Sequence, residues 1–240
     1  MIDTIMFDLD GTLLRYSQDD FLASYFAELR KVFTGLGLDA ELAIKATWAG
    51  TKAMVLGDGS RFNTFSFWEA FADFMSLTPE QTTLAEAACD NFYRNEFNAV
   101  KRVMAPGNLP GNIIRSMAAK GYTLVLATNP LFPACAITSR LAWIGLEPAD
   151  FIYISHYSNS TYCKPNLEYY REIFTKINKA PELCLMIGNN PAEDMCAGEL
   201  GSETFLVTDY LENQAGLDIT LYRRGSLTDL ETYLNSLPPL

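Results

Sequence analysis

An α/β fold with a doubly wound parallel sheet, interrupted by an all-helical insert, is what this sequence predicts. An apolar run, Ile2 to Phe7, opens the chain and stops at two acids. From about residue 105 onward, short apolar runs alternate with helical patterns at the spacing of strands joined by crossover helices. Between these regions the chain has only helical periodicity. The expected division is therefore a core of residues 1–14 and 105–240 and a helical domain of residues 15–104.

Taken in order, Ile2 to Phe7 reads as a buried strand, and Arg15 to Asp20 as a flexible polar turn. Phe21, Leu22, Tyr25, Phe26, Leu29 and Phe33 then recur at i, i+3, i+4 spacing, which predicts an amphipathic helix. A second helix is expected over Glu41–Met54, capped by Asp39, followed by a loop at Gly57-Asp58-Gly59-Ser60. Phe65–Met75 predicts a third, with Phe67, Trp68, Phe71, Phe74 and Met75 buried. Thr78-Pro79 is the cap and first position of a fourth, running towards Phe97. After Ala105-Pro106-Gly107 come a helix at Pro110–Lys120 and a strand at Tyr122–Ala127. Helices are then expected at Ala134–Ile144, Leu167–Ile177 and Met195–Leu200, and strands at Phe151–Ile154, Leu183–Ile187 and Thr204–Val207. A short strand at Ile219–Tyr222 and a helix at Thr228–Leu237 finish the chain.

Composition narrows the function. A formal net charge of −11, with the basic residues scattered, leaves nothing to offset phosphate repulsion, so nucleic acid is not an expected partner. No apolar run approaches a membrane span, and acidic Asp3 argues against a signal peptide. The 5 cysteines are widely spaced and odd in number, as expected of reduced thiols in a cytoplasmic protein. The single histidine, His156, reads as a loop residue, which leaves thiol–imidazole catalysis without its base.

The chemistry concentrates at predicted strand ends. Asp8 and Asp10, spaced i, i+2, face one side of a crevice at the carboxyl end of the first strand, where open α/β sheets bind ligands. Gly11 supplies a turn whose backbone N–H groups can face an anion. Two acids beside such a cradle repel a phosphate unless a cation intervenes, so the stretch implies a divalent metal and a phosphoryl group together. Three further signals fall at or just beyond later strand ends: Thr128-Asn129, Lys164-Pro165, and Gly188-Asn189-Asn190 with Asp194.

These four signals, in this order, resemble the motifs of the haloacid dehalogenase superfamily over the whole chain. Asp8-Leu9-Asp10-Gly11-Thr12 is similar to its first motif, Thr128 to its second, Lys164 to its third, and Gly188 through Asp194 to its fourth. The helical segment looks like the family's inserted cap. The resemblance implies a Rossmann-like core and a Mg²⁺-dependent phosphomonoester hydrolase acting on a small phosphorylated metabolite. In that reading Asp8 is the nucleophile, forming an aspartyl-phosphate, and Asp10 the general acid and base. Thr128 and Lys164 complete the catalytic group, while Gly11, Thr128, Asn129 and Lys164 hold the phosphate. Asp8, Asp10, Asn189 or Asn190, and Asp194 hold the metal. Arg15 and, in the cap loop, Arg61 and Asn63 are candidate substrate contacts. The expected hinges are Leu14–Ser17 and Met104–Gly107.

The sequence departs from the family where Asn189 follows Gly188, a place usually held by an acid; Asn190 is the alternative alignment. A neutral amide in either position predicts weakened metal affinity. A metal-weakened protein that only binds a phosphorylated ligand or partner is therefore a competing reading. A 2-haloacid dehalogenase is disfavoured by Asp10, and a phosphosugar mutase shares all four motifs. Lys45 and Lys52, which could supply a Schiff-base lysine, read as a solvated helix face.

Overall fold

A computed structural model describes residues 1–240. Six parallel strands form one sheet in the order β3-β2-β1-β4-β5-β6. They are β1 (Thr4–Phe7), β2 (Thr123–Leu126), β3 (Tyr153–Ile154), β4 (Cys184–Gly188), β5 (Glu203–Val207) and β6 (Arg224–Gly225). Phe7 is paired with Leu126 on one side and Ile187 on the other, so the end of β1 sits at the centre of the sheet. The order reverses between β1 and β4, which is where a Rossmann-like sheet opens a crevice.

The strands are apolar on both faces because both are covered. Met6, Val125 and Met186 pack against Tyr169, Tyr170, Ile173 and Phe174 of α7 (Leu167–Ile177). Phe7, Leu126 and Ile187 point the other way, into a second core shared with α5 (Leu109–Ala119), α6 (Ala134–Trp143) and α8 (Leu227–Ser236).

Four helices precede α5 in the long connection from β1 to β2: α1 (Gln18–Gly35), α2 (Ala40–Val55), α3 (Asn63–Met75) and α4 (Pro79–Arg94). Local signals set their starts. Ser17 caps α1, Asp39 caps α2 through the Leu42 N–H, and Thr78 with Gln81 forms a reciprocal capping box on α4. Phe21, Tyr25, Leu29 and Phe33 form the buried stripe of α1 and join the same apolar core as β1. The two chain crossings lie side by side, the Ala105 N–H donating to the Arg15 carbonyl at 2.7 Å.

Several expectations are corrected. The polar turn ends early, because the Ser17 cap starts α1 at Gln18. Past Arg94 the chain tightens into a 3₁₀ segment, Glu96–Val103, and Met195–Leu200 is likewise 3₁₀. Ile219–Tyr222 is no strand: Asp218 caps a 3₁₀ turn at Ile219–Leu221, Leu221 is exposed, and the last strand falls at Arg224–Gly225. Phe74, expected in the core, is exposed.

Candidate active site

The carboxyl end of β1 carries the first acid into the middle of the sheet. The Asp8 N–H donates to Ile187 O, and the Ala127 N–H to Phe7 O, each at 2.8 Å, so pairing continues past the last strand residue. The chain then turns tightly, the Leu14 N–H donating to Leu9 O at 2.8 Å. Gly11 takes a φ of +72°, open to glycine at little steric cost. Its own N–H donates to Leu14 O at 2.9 Å. Gly11 itself therefore offers no N–H to the phosphate it was expected to hold, and its part is to shape the turn. The N–H groups of Leu9 and Asp10 have no protein acceptor and are the free donors beside Asp8.

Lys164, fully buried, ties two acids together. Its Nζ donates to Asp8 Oδ1 at 2.9 Å and to Asp194 Oδ1 at 2.6 Å. Burial pushes the Asp8 carboxyl up to about 7, Lys164 opposes the shift, and Asp194 and Asp10 add to it. Burial also raises Asp194 against the pull of Lys164. Lys164 itself would be lowered by burial, but Asp194 and Asp8 outweigh that and hold it charged. The second oxygen of Asp194 accepts the Asn190 N–H at 2.9 Å, and a side chain at Gly188 would overlap this carboxylate.

Asp10 is held by residues that the motif reading missed. Arg140 Nη1 lies 2.7 Å from both its carboxylate oxygens, and the Tyr16 hydroxyl donates to it. Arg140 is completely buried on α6 beside the Phe132 ring. A signal for it was present: it falls at i+3 from Ile137 and i+4 from Ala136, on the apolar stripe of its helix. Two further acids, Glu193 and Glu212, line the same space; Glu212 lies in the loop after β5, where no periodicity marks it. Burial followed by its acidic neighbours pushes Glu212 up to about 7, and burial raises Glu193.

Thr128 is buried just beyond β2, its carbonyl accepting from Ser155 Oγ at 2.6 Å and Tyr169 Oη at 2.8 Å. Its hydroxyl makes no protein hydrogen bond and lines the cavity. Asn129 donates to Glu193 at 3.0 Å, leaving its Oδ1 buried without a partner. Asn129 is thus oriented by an acid and offers an oxygen, a poor fit to the phosphate role expected of it.

The two asparagines separate clearly. Asn189 is buried, its amide nitrogen donating to Tyr210 O at 2.6 Å and its oxygen accepting from Thr12 Oγ1 at 3.2 Å. A carboxylate could not donate to that carbonyl, which gives a physical reason for an amide here. Asn190 Oδ1 instead caps the N–H groups of Ala192 and Glu193.

The three proposed substrate contacts are not on the cavity wall. Arg15 donates to Pro106 O at 3.0 Å, Arg61 pairs with Glu69 on the exterior, and buried Asn63 contacts Pro130 O, Tyr162 O and Cys163. Lys45 and Lys52 are exposed, and His156 is a loop residue whose ring accepts the Ser158 N–H.

The cavity, about 190 Å³, runs from Asp8, Asp10, Thr128 and Asn189 into the helices, where Tyr25, Phe26, Trp48, Phe67, Trp68 and Phe71 line it. These aromatics therefore form a cavity wall as well as a packing layer, while Phe62 and Phe65 do not reach it. For a metal, no three acidic, histidine or cysteine side chains converge closely enough to form a site. The free oxygens near the first motif are one from Asp8, the Asp10 main-chain carbonyl and the remaining lone pair of Asn189 Oδ1. Such a sparse, hard set fits Mg²⁺, which keeps several waters, and the five acids around the cavity favour a cation.

The chain matches the hydrolase family described as haloacid dehalogenase-like hydrolase over residues 2–200. Among solved structures it is similar to an HAD phosphatase from Thermococcus onnurineus, at TM-score 0.62 and 14% identity, covering 100% of both chains. It is also similar to the L-2-haloacid dehalogenase from Xanthobacter autotrophicus (TM-score 0.57, 15% identity, 99% of this chain and 100% of that one). A third likeness is to the β-phosphoglucomutase of Clostridium difficile (TM-score 0.59, 17% identity, 98% and 96% covered). At these identities the likenesses speak to the fold. No curated protein matches the sequence.

Proposed function

We propose that this chain, which belongs to the haloacid dehalogenase-like hydrolase family, is a Mg²⁺-dependent phosphomonoester hydrolase of small phosphorylated metabolites. Residues 1–14 and 105–240 serve as its catalytic core and residues 15–104 as its cap. The observation that carries the reading is the pair of acids on one cavity: Asp8 ion-paired to buried Lys164, and Asp10 clasped by Arg140 and Tyr16. Asp10 favours phosphate over halide, because the family's dehalogenases have no use for a proton donor two residues past the nucleophile.

In the first step a carboxylate oxygen of Asp8 bonds to phosphorus while the bond from phosphorus to the leaving oxygen breaks. Asp10 gives its proton to that oxygen and the alcohol departs. A water then attacks phosphorus as Asp10 takes its proton, the bond to Asp8 breaks, and inorganic phosphate leaves. Lys164 balances charge on Asp8 and the transferred group, and the Thr128 hydroxyl donates to a phosphoryl oxygen. Arg140 and Tyr16 fix the direction in which Asp10 offers its proton. Asp8, the Asp10 carbonyl and Asn189 would hold Mg²⁺, with Asp194 anchoring Lys164 behind them. When bound, the metal supplies positive charge between the carboxylates and the phosphoryl oxygens.

No helix is long and apolar enough to cross a membrane, and the 5 cysteines are unpaired, which suits the cytoplasmic location we propose. A second reading, a protein that binds phosphorylated ligands without turnover, is favoured by one observation. The Asn190 and Asp194 side-chain oxygens are engaged by protein N–H groups, leaving Asp8 the main anionic donor for a metal. A single assay separates these readings: aryl phosphate, a metabolite-phosphate panel and a 2-haloacid, each with Mg²⁺ and with chelator. Chelator-sensitive phosphate release, abolished in Asp8→Asn, is expected. Ligand binding without turnover at any metal concentration would establish the second reading, and chelator-insensitive halide release a dehalogenase.

A further inference from the structure

The lining of the cavity has one property that bears on substrate choice. No Lys, Arg or His side chain lines it anywhere. Apart from the acids and amides at the sheet, Gln18 and the threonines, its wall is aromatic and aliphatic, with Leu22, Phe26, Trp48 and Phe67 among its members. Phe33 and Phe71 are packed beneath this wall, and the surface open to a ligand belongs to Leu22, Phe26, Trp48, Thr51 and Phe67, which are partly exposed.

The hydroxyl groups on that wall are already engaged. Thr47 Oγ1 donates to Ala43 O and Thr51 Oγ1 to Thr47 O, each at 2.9 Å, back-bonding to their own helix. The hydroxyls of Tyr25 and Tyr93 bond each other at 2.6 Å, away from water. What remains is the Tyr157 hydroxyl, the Trp68 indole N–H, which has no hydrogen-bond partner, and at the mouth the exposed Gln18 amide beside Glu212. A sugar entering here would exchange water for apolar surface and leave most of its hydroxyls unsatisfied. A second phosphate or a carboxylate would meet no cation and would face five acids at the far end.

We infer that the leaving group is a neutral, predominantly apolar alcohol, so that the substrate is the monophosphate of an aryl or alkyl alcohol. Phosphosugars, bisphosphates and carboxylate-bearing phosphates are excluded by the same wall. This rests on the phosphatase reading: the phosphoryl group sits at Asp8 and Asp10, and the alcohol carbon skeleton extends between α1, α2 and α3. Trp48, half exposed and packed on Phe26 with ring centroids 5.4 Å apart, forms the outer edge of the chamber.

The test uses the full chain and measures phosphate release from n-alkyl monophosphates of increasing length and from phenyl phosphate. Glucose 6-phosphate, phosphoglycolate and fructose 1,6-bisphosphate are the comparators. Each added methylene should raise kcat/KM about fourfold until the chamber is full, and phenyl phosphate should exceed every comparator at least about tenfold. Trp48→Ala, at a half-exposed position, should flatten the series. Thr51→Lys, which places a cation on the wall, should raise the rate on phosphoglycolate relative to phenyl phosphate. A flat series, or preference for any comparator, overturns the inference. Calorimetric titration with free 1-naphthol and with glycerol separates it from the phosphatase reading. Naphthol binding that is weakened in Trp48→Ala, with no ester hydrolysed, would retain the apolar chamber and sink the phosphatase. Hydrolysis with a flat series and no naphthol binding would do the reverse.

Discussion

The two ends of the cavity are built by opposite means. At the sheet, each acid is seated by named polar contacts: Asp8 by Lys164, Asp194 by Lys164 and the Asn190 N–H, Asp10 by Arg140 and Tyr16. At the helical end, shape comes from ring packing, as in Phe33–Phe71 and Phe67–Trp68, with centroids 5.7 and 5.1 Å apart. One end is held by directional, charge-assisted bonds and the other by area and volume. Substitutions at the first should therefore change chemistry more than stability, and at the second the reverse.

The largest expected effect tests the first half of that contrast. Asp8→Asn should reduce phosphate release by at least about a thousandfold, measured under single-turnover conditions. The same variant should be more stable than the wild type. Because the folded-state pKa of Asp8 is raised to about 7, the native protein binds this proton more tightly than the unfolded chain does. Wild-type stability is thus lost as pH rises from the unfolded value near 4 to about 7, and the variant escapes that loss. Its advantage should reach about 2–4 kcal/mol at pH 8 and shrink at pH 5, which chemical denaturation at the two pH values measures.

Phe71→Ala addresses the helical end. Emptying a fully buried position should cost about 3–5 kcal/mol of stability, seen as a lower denaturation midpoint, while the Asp8 chemistry persists in the folded fraction. If instead kcat collapsed at saturating substrate with stability intact, the contrast would fail. Arg140→Met tests whether the buried guanidinium serves chemistry or folding. Replacing a buried charge with an apolar chain of similar length changes stability little, and Asp10 keeps solvent access, with 36% of its side chain exposed. A fall in kcat of about 100-fold is expected, the lower end of a lost acid–base contribution, with KM nearly unchanged.

The smallest effect concerns Asn189→Asp. The added carboxylate should let activity saturate at lower Mg²⁺, while the lost bond to Tyr210 O costs about 1–3 kcal/mol of stability. Magnesium titration and a thermal melt on the same preparation read both. Micromolar saturation in the wild type would remove the premise that the amide weakens the site.

The contrast also explains what could be read from the sequence. Asp8, Asp10, Thr128 and Lys164 follow predicted strands, so the argument that strand ends converge brought them together before any coordinates. The α7 bounds, Leu167–Ile177, and the Asp39 and Thr78 caps were equally local and equally legible. Arg140 was not, because its partner Asp10 lies 130 positions away and only the apolar stripe hinted at its burial. Gly11 misled, since the turn that frees its φ also takes up its N–H. Arg61 and Asn63 were placed by the general tendency of loops to carry selectivity, which says nothing about which wall a given loop reaches. The aromatic chamber required three-dimensional packing, because spacing that buries a side chain does not tell whether a neighbour or a void lies opposite.

Two glycines set the fourth motif, one against the first motif and one against itself. Gly11 leaves room for the Asn189 amide, and Gly188 leaves room for the Asp194 carboxylate. Both side chains rest against main chain that cannot rotate away, so the loop from 188 to 194 has a single phase relative to the nucleophile. Slipping it by one residue would put Asn190 into the Gly11 notch and pull the carboxylate off Lys164. Inserting or deleting one residue there should therefore be more damaging than any conservative exchange within it. That fixed phase makes Asn189, and not Asn190, the residue of the distant loop that rests on the turn after Asp8, while Asp194 reaches Asp8 through Lys164.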